Sequence, residues 1–359
     1  MLHSLGGGWT TTAPFFSAVA GRTEVKPVLA ITPGDPAGIG PEIVARVLCD
    51  AEVFTLCRPL VIGPAAALAE GARAAGVSLR VAAAATPDDA GGSPGEARVL
   101  EPEAADLTGV RAGRVSPEAG RAAAESALLA ARLALEGRVD ALVTAPLNKE
   151  AMRLAGYPFA GHTELLGDAC GVAHPGMMLV SGNLRVAHVS THVSLAEAVR
   201  RVTRERVGHA IRLAGSGLRL LGLGNGRIAV SGLNPHAGEN GLFGDEEARA
   251  IVPAVAEARA GGLDVEGPIA PDTVFMRGLR GEFAAVVAMY HDQGHIPVKL
   301  LGMERGVNVT LGLPILRTSV DHGTAFDIAG RGVASPESLR ETIRLAARMA
   351  RRRATGDAG

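Results

Sequence analysis

Val28-Leu29-Ala30-Ile31-Thr32-Pro33-Gly34-Asp35-Pro36-Ala37-Gly38-Ile39-Gly40-Pro41-Glu42-Ile43-Val44-Ala45-Arg46-Val47-Leu48 reads as a strand, a turn and a helix in immediate succession. Val28 to Thr32 is an apolar run of strand length, and the helix begins near Pro41. The same alternation runs on through the chain. Pro59 to Ile62 reads as a strand and Pro64 to Ala75 as a helix. Ser116-Pro117-Glu118 opens a long helix that stops at Gly137: serine caps, proline suits the first turn and glutamate the positive end. Ala141 to Thr144 is a strand, Asn148 to Leu154 a helix, and Met177 to Val180 and Val186 to Ser190 are two more apolar runs. Ser194-Leu195-Ala196-Glu197 matches a capping box. Ile228 to Leu233 and Ala284 to Tyr290 read as strands, and Ser335-Pro336-Glu337 opens the last helix. Between Thr86 and Val115 the Gly- and Pro-rich text predicts a long connection. Strands alternating with helices imply βαβ units and a parallel sheet, hence an α/β fold.

The totals fit one globular chain of about two domains, taking roughly 150 residues for each. Hydrophobic residues are 47% and charged residues 20% of the 359, which excludes a disordered chain. With 36 basic and 37 acidic residues, no basic excess points to nucleic acid or an anionic membrane. No apolar run approaches the ~20 residues of a membrane span. Cys49, Cys57 and Cys170 form no CxxC pair, so a reducing compartment, the cytoplasm, is the expected location. Residues 1–26 lack a basic n-region and read as a mobile extension or a misplaced start rather than a targeting signal.

Ligands of open parallel sheets bind beyond the carboxyl ends of the strands. His192, His236 and His291 each fall just past a predicted strand. One loop histidine is ordinarily a surface residue, but three at equivalent positions make a sufficient set for a catalytic divalent cation. Asp272 and Asp292 adjoin this group in sequence; either orients a ligand or accepts a proton, and a helix cap is the structural alternative for Asp272. His188 reads as core, and His174 and His209 as loop and helix-surface residues. The segment Thr32 to Glu42 holds three glycines and three prolines; Gly34, Gly38 and Gly40 allow close approach of a ligand, and the following helix start favours an anion. Gly222-Leu223-Gly224-Asn225-Gly226 precedes a strand instead of following one, so it is a turn and not a dinucleotide fingerprint. Lys299, Asn308 and Arg317 are candidates for binding phosphate or carboxylate, with His162 and Thr163 adding donors.

These segments also resemble a known family. Ile31 to Glu42, Thr144-Ala145-Pro146-Leu147-Asn148-Lys149, Gly161-His162-Thr163-Glu164, Gly232 to Glu239, Ala288 to Gly294 and Gly306 to Gly330 are similar to the motifs of the 4-hydroxythreonine-4-phosphate dehydrogenase (PdxA) family of vitamin B6 synthesis. The resemblance runs in order from about Val28 to the last helix. It implies an isocitrate/isopropylmalate-dehydrogenase-like fold of two α/β/α lobes around a central cleft. The corresponding division is residues 27–150 plus about 285–355 in one lobe and 151–284 in the other. It further implies a homodimer with a shared site, in which His192, His236 and His291 hold the metal and His291 comes from the partner subunit. His162, Thr163, Lys299, Asn308 and Arg317 are the implied substrate and phosphate contacts, with Lys299 also counted among the catalytic residues. Gly34, Asp35, Gly38 and Gly40, together with His322, Gly323 and Asp327 in the segment Asp321 to Gly330, are the implied NAD contacts. Zinc is the first candidate metal, ahead of cobalt, nickel, magnesium and manganese. After Asp292-Gln293-Gly294 stands His295, where vitamin B6 members carry an aliphatic residue; this form resembles a branch acting on D-threonate or D-erythronate 4-phosphate.

The expected reaction is NAD-dependent, metal-assisted oxidation of a secondary alcohol in a small phosphorylated hydroxy acid, followed by decarboxylation. Two enzymatic alternatives are a dehydrogenase of aromatic dicarboxylate cis-dihydrodiols and a three-histidine metal hydrolase. A metabolite-binding protein without turnover is the alternative outside catalysis.

Overall fold

The computed structural model describes residues 26–103, 106–302 and 306–355. Nearly all of the expected N-terminal extension therefore lies outside the described residues. Twelve strands form one sheet. In chain order they are β1 (Val28–Thr32), β2 (Arg58–Ile62), β3 (Arg80–Ala83), β4 (Glu96–Leu100), β5 (Ala141–Thr144), β6 (Gly176–Ser181), β7 (Leu184–His188), β8 (Ile228–Ser231), β9 (Val265–Ile269), β10 (Ala285–Ala288), β11 (Val307–Leu311) and β12 (Arg317–Val320). Across the sheet the order is β3-β4-β2-β1-β5-β12-β11-β6-β7-β10-β8-β9. The helices are α1 (Gly40–Val47), α2 (Ala51–Leu56), α3 (Ala65–Ala75), α4 (Pro117–Leu135), α5 (Lys149–Leu154), α6 (His162–Ala169), α7 (Leu195–Arg200), α8 (Arg204–Leu220), α9 (Val252–Ala260), α10 (Pro271–Leu279), α11 (His291–Leu300) and α12 (Glu337–Thr355).

From β3 to β12 every pairing is parallel, and so is every pairing from β7 to β9. Between these sets lie three antiparallel pairings, β12 with β11, β11 with β6 and β6 with β7. Three reversals leave the two parallel sets running in opposite senses. Each set is one half of the α/β fold, and the antiparallel strands join them. β10 pairs with both β7 and β8, so residues 285–288 sit in the second half of the sheet, not in the lobe where the sequence reading put them; the chain re-enters the first half at β12.

Side-chain alternation along the strands separates two apolar faces. Leu29 and Ile31 of β1 join a core with residues of α1, α8, α9 and α12 that continues across both halves. Ala30, between them, faces the opposite way and packs with α4. On that second face the core is divided, since the residues under α10 and α11 form a cluster of their own. Strands buried on both faces read as continuous apolar runs, which is why β1, β5 and β10 were legible. Ser116 caps α4 by accepting from Ala119 N at 3.2 Å, and Ser194 caps α7 by accepting from Glu197 N at 3.3 Å; each such cap contributes about 1 kcal/mol. The predicted long connection after Thr86 is corrected: it contains a short turn of helix, Pro87–Asp89, and the strand β4. β4 is ordered by parallel pairing with β2 and β3, a tertiary constraint that Glu96-Ala97-Arg98-Val99-Leu100 does not advertise locally.

The first loop is locked to the last. Glu42 is buried, and its carboxylate accepts from the backbone N–H groups of Gly330 and Gly332. Asp35 N donates to Pro146 O at 2.9 Å and Ile39 N to Thr324 O at 3.0 Å. A Cβ on Gly40 would stand 1.9 Å from Pro33 O, and backbone cannot swing aside as a side chain can. Gly40→Ala is therefore expected to destabilise the fold by about 3 kcal/mol, measured as a lowered midpoint of urea unfolding; an unchanged midpoint would contradict this packing.

Candidate active site

A cavity of about 740 Å³ opens where the halves meet, over β11 and β12. At its floor lies Arg317, 3% exposed. Its Nε and Nη2 donate to Thr144 Oγ1 at 3.2 and 2.7 Å, and Nη1 donates to Thr310 Oγ1 at 2.9 Å. No carboxylate stands within ion-pair distance of it among the described residues. Burial pulls the guanidinium down to about 10, opposed by the charge of Glu164. An uncompensated buried cation is costly, and the cavity is where an anion can reach it.

Around Arg317 stand other groups short of partners. His162 opens α6, and its Nε2 is buried without a hydrogen bond. Burial, then the charge of Arg317, holds this imidazole well below the usual histidine range, so it is neutral and one nitrogen carries a proton to donate. Asn308 Oδ1 in β11 is likewise buried and unpartnered. Thr163 and Lys299 line the same cavity. All five residues read as phosphate or substrate contacts thus converge. Thr144 and Thr310, which hold the arginine, were not singled out in the sequence; only pairing across β5, β12 and β11 reveals them.

The second feature is a row of imidazoles. The rings of His192 and His291 have centroids 5.7 Å apart. His291 stacks on His295 at 3.6 Å, and His295 lies 4.7 Å from His188. His291 Nδ1 contacts Asp292 Oδ1 at 2.6 Å, and His295 Nδ1 contacts the His291 carbonyl at 3.0 Å. Burial, then the neighbouring His291, pulls His295 down to about 4. His188 is core, as read, and also lines the cavity; both its ring nitrogens are buried without partners. His174 and His209 line the cavity too, joined by His209 Nε2 to His174 O at 3.0 Å. His174 is exposed in a loop and His209 stands on α8, as their sequence reading has them.

Two expectations are corrected here. The sequence reading gave His291 to the partner subunit; in one chain its ring stands beside that of His192. His236 is the one left out: it does not line the cavity, and no group of three or more His, Cys, Asp or Glu suited to a metal forms among the described residues. His236 is exposed on a loop whose backbone is left-handed over five residues, His236 (φ 53°), Ala237 (φ 55°), Gly238 (φ 83°), Glu239 (φ 42°) and Asn240 (φ 56°). Each non-glycine in that region costs about 1–2 kcal/mol. Asp272 is exposed on α10, also outside the cavity, and it caps nothing; the N-cap position is Ala270. α10 packs against the His236 loop. Asp292 is exposed and committed to His291.

The first loop behaves differently from its reading. Cβ atoms on Gly34, Gly38 and Gly40 would meet Pro146 O at 2.0 Å, Thr324 Cβ at 2.9 Å and Pro33 O at 1.9 Å. The close approach these glycines permit is that of the chain itself. Gly323 has nothing within 4 Å of its Cβ position, and it lines the cavity beside His322 and Asp321. Asp327 is exposed nearby. Asp35 is fully buried; its Oδ1 accepts from Ala37 N at 2.8 Å and its Oδ2 has no partner. Burial pushes its carboxyl up to about 6.

Comparison with known proteins completes the picture. Residues 55–346 match the model of the family "Pyridoxal phosphate biosynthetic protein PdxA". The chain is 49% identical over 331 residues to a 4-hydroxythreonine-4-phosphate dehydrogenase of Geobacter metallireducens, covering 92% of this chain and 98% of that one. It is 48% identical over 337 residues to a D-threonate 4-phosphate dehydrogenase of Cupriavidus necator, covering 92% and 100%. The crystal structure of a 4-hydroxythreonine-4-phosphate dehydrogenase from Klebsiella pneumoniae superposes with a TM-score of 0.83 at 45% identity, covering 92% and 100%. Fold, cleft and relatives define an α/β dehydrogenase. The chain belongs to the PdxA family.

Two outcomes are expected. In Arg317→Met the buried charge is gone, so the ligand-free protein should unfold at the same temperature or higher; inorganic phosphate is expected to raise the Tm of the wild type and to leave that of the variant unchanged. For Asp35, the folded state favours the protonated carboxyl, since its value rises from 3.8 to about 6. Stability is therefore lost as pH climbs through that window. Asp35→Asn should be more stable than wild type by about 2 kcal/mol at pH 8 and no more stable near pH 4, read from urea midpoints.

Proposed function

We propose that the protein oxidises the secondary alcohol of a small hydroxy acid bearing a terminal phosphate, using NAD and one divalent cation, and that the β-keto acid formed then loses carbon dioxide. The substrate is 4-hydroxythreonine 4-phosphate or D-threonate/D-erythronate 4-phosphate. The observation that carries this reading is Arg317, a buried guanidinium with no acidic ion-pair partner among the described residues, opening onto a cavity rimmed by His162, Thr163, Asn308 and Lys299. A phosphate there satisfies the arginine and takes donors from its neighbours.

The donor set suits a cation. Two imidazoles on one tetrahedral ion, with N–metal bonds of ~2.0–2.1 Å, have ring centres roughly 5–6 Å apart, and His192 and His291 stand at 5.7 Å. The contact of His291 Nδ1 with Asp292 leaves Nε2 free to bind and fixes the ring. Asp292 is then an orienting group. When bound, the cation lowers the pKa of a substrate hydroxyl and polarises the neighbouring carbonyl. Zinc suits imidazole ligands best, with cobalt, nickel, magnesium and manganese as the other candidates. Lys299, in the cavity wall, is the residue of the catalytic set that this chain itself places to move the proton, since Asp292 is committed to His291. NAD accepts the hydride. Its adenine end is assigned to His322, Gly323 and Asp327, where the open backbone at Gly323 leaves room; Gly34, Asp35, Gly38 and Gly40 shape that loop from below through the contact with Thr324.

The site is completed in a homodimer. His236 of the partner subunit supplies the third imidazole, and the partner's Asp272 accompanies it. Exposed apolar side chains support such an interface: Leu242 (72%) and Phe243 beside His236, Met276 on α10, and Ile296 and Leu300 (81%) on the helix that carries His291. Three free cysteines support a cytoplasmic setting. The cis-dihydrodiol and hydrolase readings are not favoured, and a binding protein without turnover would not need the imidazole pair beside the anion site.

The decisive assay follows NAD reduction with each phosphorylated hydroxy acid and with an aromatic cis-dihydrodiol. Turnover of a phosphorylated acid alone is expected; turnover of the diol alone would overturn the reading. For the shared site, His192→Ala and His236→Ala homodimers should each be inactive, and mixed heterodimers should regain part of the activity; no recovery would argue against a site built from two chains.

A further inference from the structure

The loop that presents His236 is held from beneath by one buried carboxylate. Glu247 is 5% exposed. Its Oε1 accepts from the backbone N–H groups of Leu233 and Asn234, both at 2.8 Å, and its Oε2 accepts from Asn234 Nδ2 at 2.9 Å. Gly238 must be glycine for the same reason, since a Cβ there would stand 2.8 Å from Glu247 Oε2. A second strap comes from Gln293, whose Nε2 donates to Gly232 O at 2.8 Å while its Oε1 accepts from Met289 N at 2.6 Å. The approach to His236 and the turn before His291 are thus tied together.

A left-handed run of four non-glycine residues and one glycine persists only where the surroundings over-determine it. The contacts of Glu247 anchor the entry to that run at Leu233 and Asn234 and its carboxylate packs under Gly238, and the imidazole the run presents is exposed and outside its own chain's cavity. We propose that Glu247 is a positioning residue for the cation site: it fixes the conformation that presents His236, and so sets cation affinity without touching the cation. This rests on the reading of His236 as a ligand shared between subunits.

The test titrates Co²⁺ into metal-free, full-length dimer and reads the visible absorption of bound cobalt. Wild type, His236→Ala, Glu247→Gln and Glu247→Asp are compared, with hydrogen exchange of residues 232–244 measured alongside that of β1. Glutamine keeps one acceptor but turns an NH₂ group toward Asn234. Glu247→Gln is expected to weaken Co²⁺ binding about 10–100-fold, to alter the cobalt spectrum and to raise exchange in 232–244 alone; Glu247→Asp should recover part of the affinity. Should Glu247→Gln fail to fold, Asn234→Ala removes the Oε2 contact, together with the bond from Asn234 Nδ2 to Glu246 Oε2 at 2.8 Å, while leaving both backbone bonds to Oε1, and is expected to weaken Co²⁺ in the same direction. Wild-type affinity in the Glu247 or Asn234 variant, with loss in His236→Ala, overturns the proposal and leaves the shared-ligand reading standing. Wild-type affinity in His236→Ala overturns both. Raised exchange throughout the chain, β1 included, marks Glu247 as a general structural residue and also overturns the proposal.

Discussion

Arg317 sits where most folds place a leucine. It occupies the middle of a twelve-stranded sheet, opposite Leu142 of β5 on one side and Thr310 of β11 on the other. Desolvating a guanidinium costs several kcal/mol even after relaxation, and two threonine hydroxyls return only part of that. The remainder is offset when an anion arrives. The position tolerates this demand because apolar clusters cover the central strands on both faces, so the stability lost at one residue is carried by a large core. The ligand-free state is consequently less stable than the core alone would make it, and on the proposed reading phosphate binding acts on folding as well as on recognition.

The antiparallel strands at the centre make this arrangement possible. In an uninterrupted parallel sheet all carboxyl ends would emerge on one edge, and no strand centre would face a cleft. Here the reversals at β12, β11 and β6 turn the two parallel sets against each other. The loop after β5 and the loop after β12 approach the cavity from one side; the ends of β7 and β10, with the imidazoles, approach from the other. The anion site and the imidazole pair therefore come from strands of opposite sense, which sets their separation independently of any single loop.

Much of this was legible in the residues. Apolar runs such as Val28 to Thr32 and Ala141 to Thr144 have one physical reading, because a strand covered on both faces has no polar position to spare. Caps such as Ser116 and Ser194 announce themselves within a single turn. His192 and His291 were found by position, just beyond strand ends. What stayed hidden depends on distance in the chain. β4 is a strand only because β2 and β3 flank it, and Thr144 and Thr310 matter only because Arg317 lies between them. The glycines of the first loop were read as sites where a ligand approaches closely; what stands against them in the fold is the chain itself, Pro146, Pro33 and Thr324. The burial of Asp35 is hidden for the same reason, since an aspartate in a Gly- and Pro-rich loop reads as solvated.

His236 shows the limit most clearly. Its position after β8 marks it as a ligand in the sequence, yet its own chain turns it outward on a left-handed loop. Strain of that kind is a free energy the chain carries alone, and it is tolerable only if something else recovers it. On the shared-site assignment the recovery comes from the neighbouring subunit, where the imidazole meets a cation already held by two others. Cation binding and dimerisation are then one linked equilibrium: each strengthens the other by the same factor, and neither affinity has a value independent of protein concentration. A chain that kept all three imidazoles to itself would hold the ion as a monomer. On the proposed reading this one divides them, and competence to bind the cation then reports that the dimer has formed.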